Sequence, residues 1–507
     1  MGNGEDDIFS VFWKLSGTQI DGEPIYGLFG YRGFSLWWGF KLDFLKIRKP
    51  RLKNLLKESY KELVDRYFRG RQRTFPEERF DVILFNTDFF RTQKGERYFG
   101  DIKEELENRN IKVLEIYTHT PKPNQLLKKW PESADLRYIF SYMDDEIRKK
   151  VMEKKKEGKE IYSKITKDSA FQEFINNNFN KSEIEIIDIF IEDICNVLYP
   201  RAVMYTELFD KIIKETGAKA VCYLDFADIY PYSASVASKM NNIRNIWVLH
   251  GSFFKASFIL PKEYLFENLG NRGLIIPNRV CAYGEYDKRK IAECNFSLNR
   301  IAVCGCPRFD DYAKKFAEMD RDKIIENYGL DMNKKFILWA PTNFGNLDKK
   351  GEREVNAEKM LEAIGKLGNE YTLLIKLHWD DKKRYLYEKI PNAHIFGSGT
   401  NLLELIKISD AVIIKSSTVG MEAVALGKPI IMLEFVKSLD ISHYTDYGFP
   451  KVSTMEELVM EIKRPDMKEF EVKREKYMKD KLANFGYASE KIAEEIESLL
   501  KTKGESD

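Results

Sequence analysis

No stretch of this chain approaches the roughly 20 consecutive apolar residues that a membrane-spanning helix needs, so no span is expected. The first residues, Met1-Gly2-Asn3-Gly4-Glu5-Asp6-Asp7, are acidic and do not read as a signal peptide. There is no surplus of either charge: 82 Lys and Arg face 80 Asp and Glu. A dedicated nucleic-acid binder carries a basic excess, so no nucleic-acid partner is expected. Paired cysteines are lacking as well. The six are Cys195, Cys222, Cys281, Cys294, Cys304 and Cys306, and Cys304-Gly305-Cys306 is too tight for an ordinary zinc pair. Buried, reduced thiols are the expected state. Gln is scarce while Lys and Glu abound, a thermophile-like composition. No internal repeat and no low-complexity segment is found.

At 507 residues the chain exceeds one ordinary core, and two or three domains are expected. With 43% hydrophobic and 13% aromatic residues, those cores can be filled. Short apolar runs alternate with helical patterns, the signature of parallel α/β sheets. Asp81–Phe85, Ile111–Tyr117, Ala220–Leu224, Asn245–Leu249, Arg279–Tyr283 and Ile301–Cys304 form a first series of strands. Phe336–Ala340, Thr372–Leu377, His394–Phe396, Ala411–Ile414 and Ile430–Leu433 form a second. The expected divisions are a cap over 1–75, a Rossmann-like domain over 76–315 with a helical insertion at about 120–215, a second such domain over 316–480, and a helix over 481–507 that packs back. Lys314 to Lys335 reads as the linker, and Lys154–Lys159 as a solvated turn. Phe34-Ser35-Leu36-Trp37-Trp38-Gly39-Phe40, before a basic run, has two readings: a Trp-rich core element, or an interfacial segment against a membrane surface.

The chemistry concentrates in loops after strands, where parallel α/β sheets bind ligands. Ser416, Ser417 and Thr418 follow a buried strand and open a helix; all three are good N-cap residues. Free N–H groups and the helix dipole suit such a turn to phosphate, and Glu422 on the same helix suits a sugar hydroxyl. The plainer reading is a capped helix that binds nothing. Of the five histidines, His250 and His378 each end a strand. A histidine there can act as a general base or donate to phosphate, or simply bond a nearby carbonyl. Arg308, in Gly305-Cys306-Pro307-Arg308-Phe309-Asp310, can pair with phosphate or lock to Asp310 or Asp311. Thr342 and Asn343, with the amides after them, can cradle an anion.

Taken in order, His250-Gly251, Gly305–Asp310, Ala340-Pro341-Thr342, Lys376-Leu377-His378, Ser416–Thr418 with Glu422, and Gly427-Lys428-Pro429 resemble the CDP-glycerol glycerophosphotransferases of teichoic acid synthesis and the related capsule polysaccharide and polysialic acid transferases. The resemblance spans roughly residues 245 to 435. It implies a GT-B fold, two Rossmann-like domains facing a cleft, with the acceptor on the first domain and a nucleotide donor on the second. His250 would be the general base or an acceptor-side catalytic group. Arg308, Thr342, Asn343, His378, Ser416, Ser417, Thr418 and Glu422 would hold the donor. The family's first-domain acidic residue falls to Asp88 or Asp225, each just after a strand. One departure is that the family has His-Pro where this chain has His378-Trp379.

The implied activity is transfer of a sugar, or of glycerol phosphate, from a nucleotide-sugar or CDP-alcohol donor to a surface glycan or lipid-linked acceptor. Asp21–Tyr26 and Ser35–Trp38 resemble surface-carbohydrate transferases and tilt the reading toward a sugar donor. No Asp-x-Asp stands in a donor loop, so no metal and no cofactor is expected; a helix terminus and hydrogen-bonding groups can stabilise the leaving phosphate instead. The expected place of work is the cytoplasm, or the inner face of the cell membrane. The rivals are a UDP-sugar 2-epimerase-like enzyme and an inactive scaffold of a glycan-assembly complex.

Overall fold

The computed structural model describes residues 12, 15–16, 18–40, 77–86, 99–118, 135–224, 229–251, 275–293, 296–341, 351–378, 383–397, 399–415, 417–436, 443–463 and 465–502. Two parallel sheets organise them. The central strands are short apolar runs buried on both faces, as parallel sheets require, while the edge strands are partly exposed.

The first sheet comprises β1 (Val82–Asn86), β2 (Val113–Tyr117), β3 (Leu136–Tyr138), β4 (Ala220–Tyr223), β5 (Arg244–Val248), β6 (Arg279–Ala282) and β7 (Ile301–Val303), in the order β7-β6-β5-β4-β1-β2-β3. The chain runs outward from β1 to β3, then returns to β4 on the other side of β1. The carboxyl ends of β1 and β4 therefore flank a topological switch point, where open α/β sheets form a ligand crevice. The second sheet comprises β8 (Lys335–Trp339), β9 (Tyr371–Lys376), β10 (Ala393–Phe396), β11 (Ala411–Ile414), β12 (Ile430–Leu433) and β13 (Lys451–Val452), in the order β10-β9-β8-β11-β12-β13. Its switch point lies between β8 and β11. The architecture is GT-B-like.

The helices that matter for the site are α1 (Ile102–Glu107), α2 (Asp145–Lys167), α3 (Tyr199–Thr216), α4 (Asp310–Glu318), α5 (Glu352–Leu367), α6 (Val419–Ala425), α7 (Met467–Lys481) and α8 (Ala488–Lys501). The α2 helix begins where the Asp144 side chain accepts from the Ile147 amide at 2.8 Å. Lys154–Lys159 lies inside this helix rather than in a turn. Lys and Glu are strong helix formers, and Gly158 is kept by packing: a Cβ there would fall 1.9 Å from the Cys195 carbonyl oxygen. Lys314 to Lys335, expected as a linker, holds the end of α4 and the short helix Arg321–Asn327, both with charged outer faces.

The amino-terminal residues form two short hairpins. Asp21-Gly22 and Arg32-Gly33 turn them with positive φ at both central positions, the pattern of type I′ turns. Leu36, Trp37, Trp38 and Phe40 behind them are buried. Trp37 stacks on Phe12 with centroids 5.3 Å apart, and its ring N–H donates to Ser16 Oγ at 2.7 Å. This corrects the interfacial reading of Phe34–Phe40: the tryptophans already fill a protein core and cannot also enter a membrane surface. The basic residues from Lys41 to Lys53 lie outside the described residues. Among the described residues, no helix is long and apolar enough to cross a membrane.

The chain ends by crossing between the domains. The last helix, α8, buries Ile492, Ala493 and Ile496 in one core with Val82, Leu84 and Val248 of the first sheet. Asp310 fixes its start, accepting from the amides of Ala488 at 2.9 Å and Ser489 at 2.7 Å. The preceding segment lies on the first domain. A Cβ on Gly284 would meet the Asp480 carbonyl oxygen at 2.2 Å, and the Ala483 amide donates to the Tyr283 carbonyl at 3.0 Å.

Candidate active site

At the end of β5 the chain runs through Leu249 to His250, an exposed residue. Its Nδ1 lies 2.9 Å from the carbonyl oxygen of Leu224, just past the end of β4. A carbonyl oxygen can only accept, so in the neutral ring Nδ1 carries the proton. The Nε2 atom is then the basic nitrogen. The carbonyl bond of the plainer reading is therefore present, and it also sets the tautomer that a general base needs. Among the described residues, none crowds the next position: a Cβ on Gly251 would meet none of their atoms within 4 Å. Asp88 and Asp225 follow β1 and β4, the two strands at the switch point; both lie outside the described residues.

The second sheet presents its candidates at the same kind of edge. Pro341 follows β8, and Thr342 and Asn343 beyond it lie outside the described residues, as does Ser416. His378 is exposed at the end of β9. After β11 the chain enters α6 with Ser417 Oγ accepting from the Val419 amide at 3.3 Å. Thr418 occupies the N-cap position without a side-chain bond, so the capping oxygen comes from Ser417. The Tyr444 hydroxyl donates to the Ser417 carbonyl at 2.7 Å. That peptide is planar, so holding its carbonyl also fixes the direction of the Thr418 N–H. At the other end of α6, Arg474 from α7 donates to the carbonyls of Val424 at 2.8 Å and Ala425 at 3.0 Å.

Arg308 and Glu422, both expected to face the donor, pair with each other. Arg308 Nη2 lies 3.1 Å from Glu422 Oε1, with side chains 16% and 5% exposed. The Glu422 carboxylate pushes the guanidinium pKa up against the opposing effect of burial. Neither Asp310 nor Asp311 is the partner: Asp310 caps α8 and Asp311 pairs with Lys315 at 2.5 Å. Lys428, in the Gly-Lys-Pro turn, is spent on structure, donating to the carbonyls of Lys407 at 3.0 Å and Ser409 at 2.6 Å. Burial lowers its pKa. Lys415, next to Ser416, pairs with the buried Glu352 at the start of α5 at 2.6 Å.

The sequence reading passed over Tyr444, Arg474 and Tyr477, which hold the turn and helix α6 in place. The aromatic clustering of Tyr444, Tyr447 and Phe449 was the available signal. It also left His443 unassigned; that histidine is buried, with Nε2 2.9 Å from the Tyr477 hydroxyl. The described cysteines, Cys195, Cys222, Cys281, Cys304 and Cys306, are free and buried. Among the described residues, no group of His, Cys, Asp and Glu has the arrangement of a metal site.

Residues 283–498 match the family model of CDP-glycerol:poly(glycerophosphate) glycerophosphotransferase. The chain is 30% identical over 204 residues to the teichoic acid poly(glycerol phosphate) polymerase of Bacillus spizizenii, covering 38% of this chain and 52% of that protein. It is 23% identical over 304 residues to the teichoic acid poly(ribitol-phosphate) polymerase of the same organism, covering 53% of this chain and 45% of the relative. The chain thus spans about half the length of the curated relatives it matches. The UDP-GlcNAc 2-epimerase of Neisseria meningitidis, solved with UDP-GlcNAc, superposes with a TM-score of 0.50 at 15% identity, over 83% of this chain and 98% of that one. At that identity the likeness is one of fold.

Proposed function

We propose, for a chain whose residues 283–498 match the family model of CDP-glycerol:poly(glycerophosphate) glycerophosphotransferase, that it transfers a phosphate-linked alcohol, or a sugar, from a nucleotide-activated donor to a glycan acceptor. CDP-glycerol is the first donor to try, because the matched relatives are named for polymers of glycerol phosphate and ribitol phosphate. The acceptor is a surface glycan or its lipid-linked precursor. Nucleotide donors are made in the cytoplasm, so the work is placed there or at the inner face of the membrane.

The observation that carries the reading is His250. Its Nδ1–H is committed to the Leu224 carbonyl, which leaves Nε2 as a base at the open end of the first sheet. In the proposed step an acceptor hydroxyl gives its proton to Nε2. Its oxygen forms a bond to the donor phosphorus that bears the glycerol. The bond from that phosphorus to the bridging oxygen breaks, and the nucleoside monophosphate leaves with the electron pair. With a sugar donor the same oxygen attacks the anomeric carbon, and the nucleoside diphosphate leaves. Asp88 and Asp225, which follow β1 and β4 in the sequence, are the acidic candidates of the first domain. On the second domain the donor would be held by His378, Ser416, Ser417, Thr418, Thr342 and Asn343, at the strand ends around the β8/β11 switch point, with Glu422 toward a donor hydroxyl. No metal or cofactor enters this reading.

The test is a calorimetric and thermal-shift screen of the intact chain against CMP, CDP, UDP, GDP, UMP and CDP-glycerol, since a ligand of the native state raises its apparent stability. One nucleotide class should bind, and replacing both Ser417 and Thr418 by Ala should weaken it about tenfold or more while the fold is kept. If no nucleotide binds, the transferase reading falls and the scaffold alternative gains. The epimerase alternative rests on fold alone. It predicts conversion of UDP-GlcNAc without acceptor, which the transferase should not show.

A further inference from the structure

We infer that the groove between the first hairpin and the far end of α2 is a subsite for neutral, hydroxyl-rich units of the acceptor glycan. That the sugar belongs to an acceptor rests on the transferase reading above; that the groove takes a sugar does not.

The groove holds about 430 Å³, the size of a small-ligand site, and is lined by Asp21, Glu160, Ser163, Lys164, Lys167 and Asp168. Four of these follow the i, i+3, i+4 and i+7 spacing of one stripe along α2, while Ile161 and Ile165 between them are buried. The other wall is the hairpin turn Asp21-Gly22. Asp21 has φ +50°, a conformation that L-residues seldom adopt, and its amide donates to Asp168 Oδ2 at 3.0 Å. Asp168 Oδ1 accepts from the Phe171 amide at 2.7 Å and so caps the next helix, Ser169–Asn178. The turn is thereby tied to a helix end, with the Asp21 carboxylate 3.5 Å from Lys164 Nζ.

The groove lies on the same side of the first sheet as His250. Helix α3 ends beside the amino edge, where the Thr216 carbonyl accepts from the Phe80 amide at 3.0 Å ahead of β1, so its start at Tyr199 stands at the carboxyl edge. Helix α2 lies antiparallel to it: Lys150 meets Glu207 at 2.8 Å, and the Tyr199 hydroxyl donates to Glu157 at 2.7 Å. From Glu157 the helix runs on to Lys167, about 15 Å at 1.5 Å per residue, and carries the groove past that edge. An acceptor whose reacting hydroxyl meets His250 has the rest of its chain on this side.

The donors and acceptors in the groove suit a polyol. Among the described residues, the side chains of Glu160 and Lys167 have no partner, so an open carboxylate and an open ammonium share the groove with the Ser163 hydroxyl. A sugar hydroxyl donates and accepts at once, and this set answers both needs. The charges argue against a polyanion. Asp21, Glu160 and Asp168 outnumber Lys164 and Lys167, so no positive field draws a phosphate chain.

The experiment is saturation-transfer NMR with titration on the intact chain, wild type and E160A/K167A. Cellobiose, maltose and N,N′-diacetylchitobiose are the neutral probes, and glycerol 3-phosphate is the anionic one. At least one neutral disaccharide should bind wild type with a Kd on the order of millimolar. The double variant should weaken that binding about tenfold, the worth of two hydrogen bonds. Its melting temperature should stay that of wild type, because both residues are exposed and Ala suits a helix. Glycerol 3-phosphate should bind wild type no better than the variant. The inference is overturned if no neutral disaccharide binds, if the double variant binds it as wild type does, or if glycerol 3-phosphate is the tighter ligand. Nucleotide binding without sugar binding would remove this inference alone. Sugar binding without nucleotide binding would remove the acceptor role and leave the groove a glycan site.

Discussion

His443 and Tyr477 form a buried pair between the second domain and the crossover helix: Nε2 lies 2.9 Å from the phenol oxygen, and the rings stack 21° from parallel with centroids 5.7 Å apart. Tyr444 completes the stack, 4.6 Å from His443 and 5.9 Å from Tyr477. Its hydroxyl reaches the Ser417 carbonyl, so the turn after β11 is supported from α7 through three rings.

Tyr477→Phe keeps the ring and removes the hydroxyl, leaving a buried imidazole nitrogen short of a partner. The expected cost is about 1–2 kcal/mol, read as a lower midpoint in urea unfolding. An unchanged midpoint would mean that the bond adds nothing to the stack.

His250→Gln is the sharper probe of the proposed base, because an amide can still donate to the Leu224 carbonyl but cannot take up a proton near neutral pH. Turnover should fall by about 10²–10⁴-fold with nucleotide affinity within a few-fold of wild type. Near-normal turnover with the native acceptor would reduce His250 to a structural bond.

Lys481 and Asp287 are fully buried, with Nζ 3.8 Å from Oδ1 and 3.4 Å from the Tyr286 ring centroid. Burial, only partly offset by Asp287, pulls the lysine pKa down to about 8. Its unfolded value is about 10.4, so between those two values the unfolded chain holds a proton that the folded chain has lost. By linkage this lysine makes stability rise as pH climbs from about 8 toward 10. Subtracting the urea midpoints of a Lys481→Met/Asp287→Asn double variant from those of wild type at each pH should expose that rise. A flat difference across the window would show that the lysine is already neutral, or still charged, throughout.

Gly305 sits at φ +100°, and a Cβ there would lie 2.3 Å from the Ala483 carbonyl oxygen and 2.8 Å from Ala488 Cβ. Both a conformation foreign to L-residues and a backbone clash oppose Gly305→Ala. A loss of about 2 kcal/mol or more is expected, with faster proteolysis around residues 482–487 as the returning segment lifts. A variant that melts like wild type and resists protease would show that the segment yields without penalty.

The sheets were legible because parallel strands are buried on both faces and read as short apolar runs; Val82–Phe85 and Ala411–Ile414 need no partner to be recognised. The candidate site was legible only by position. His250, His378 and Ser417 announce themselves as polar residues directly after such runs. What they touch is set by chain segments far away: Arg308 meets Glu422 across 114 positions, and Arg474 reaches Val424 across 50. Local pattern cannot reveal a partner at that distance, and so two residues both read as donor ligands proved to be each other's counter-ion. Lys154–Lys159 misled for a different reason. A glycine within a charged run looks like a turn until the helix packed against it is known.

The return of α8 to the first sheet bears on how the chain is made. Ile492, Ala493 and Ile496 cover one face of strands that are synthesised long before them. Domains tend to fold as they emerge from the ribosome, amino-terminal first. Phe99, Ile102 and Leu106 cover part of that face early, but the rest must wait while the whole of the later domain is translated, so the nascent chain carries a half-finished core through much of its synthesis. Cutting the gene between the domains would not yield two independent proteins: the amino-terminal piece would lack its last layer, and supplying α8 in trans, or moving its codons ahead of β1, would be the way to make that piece soluble.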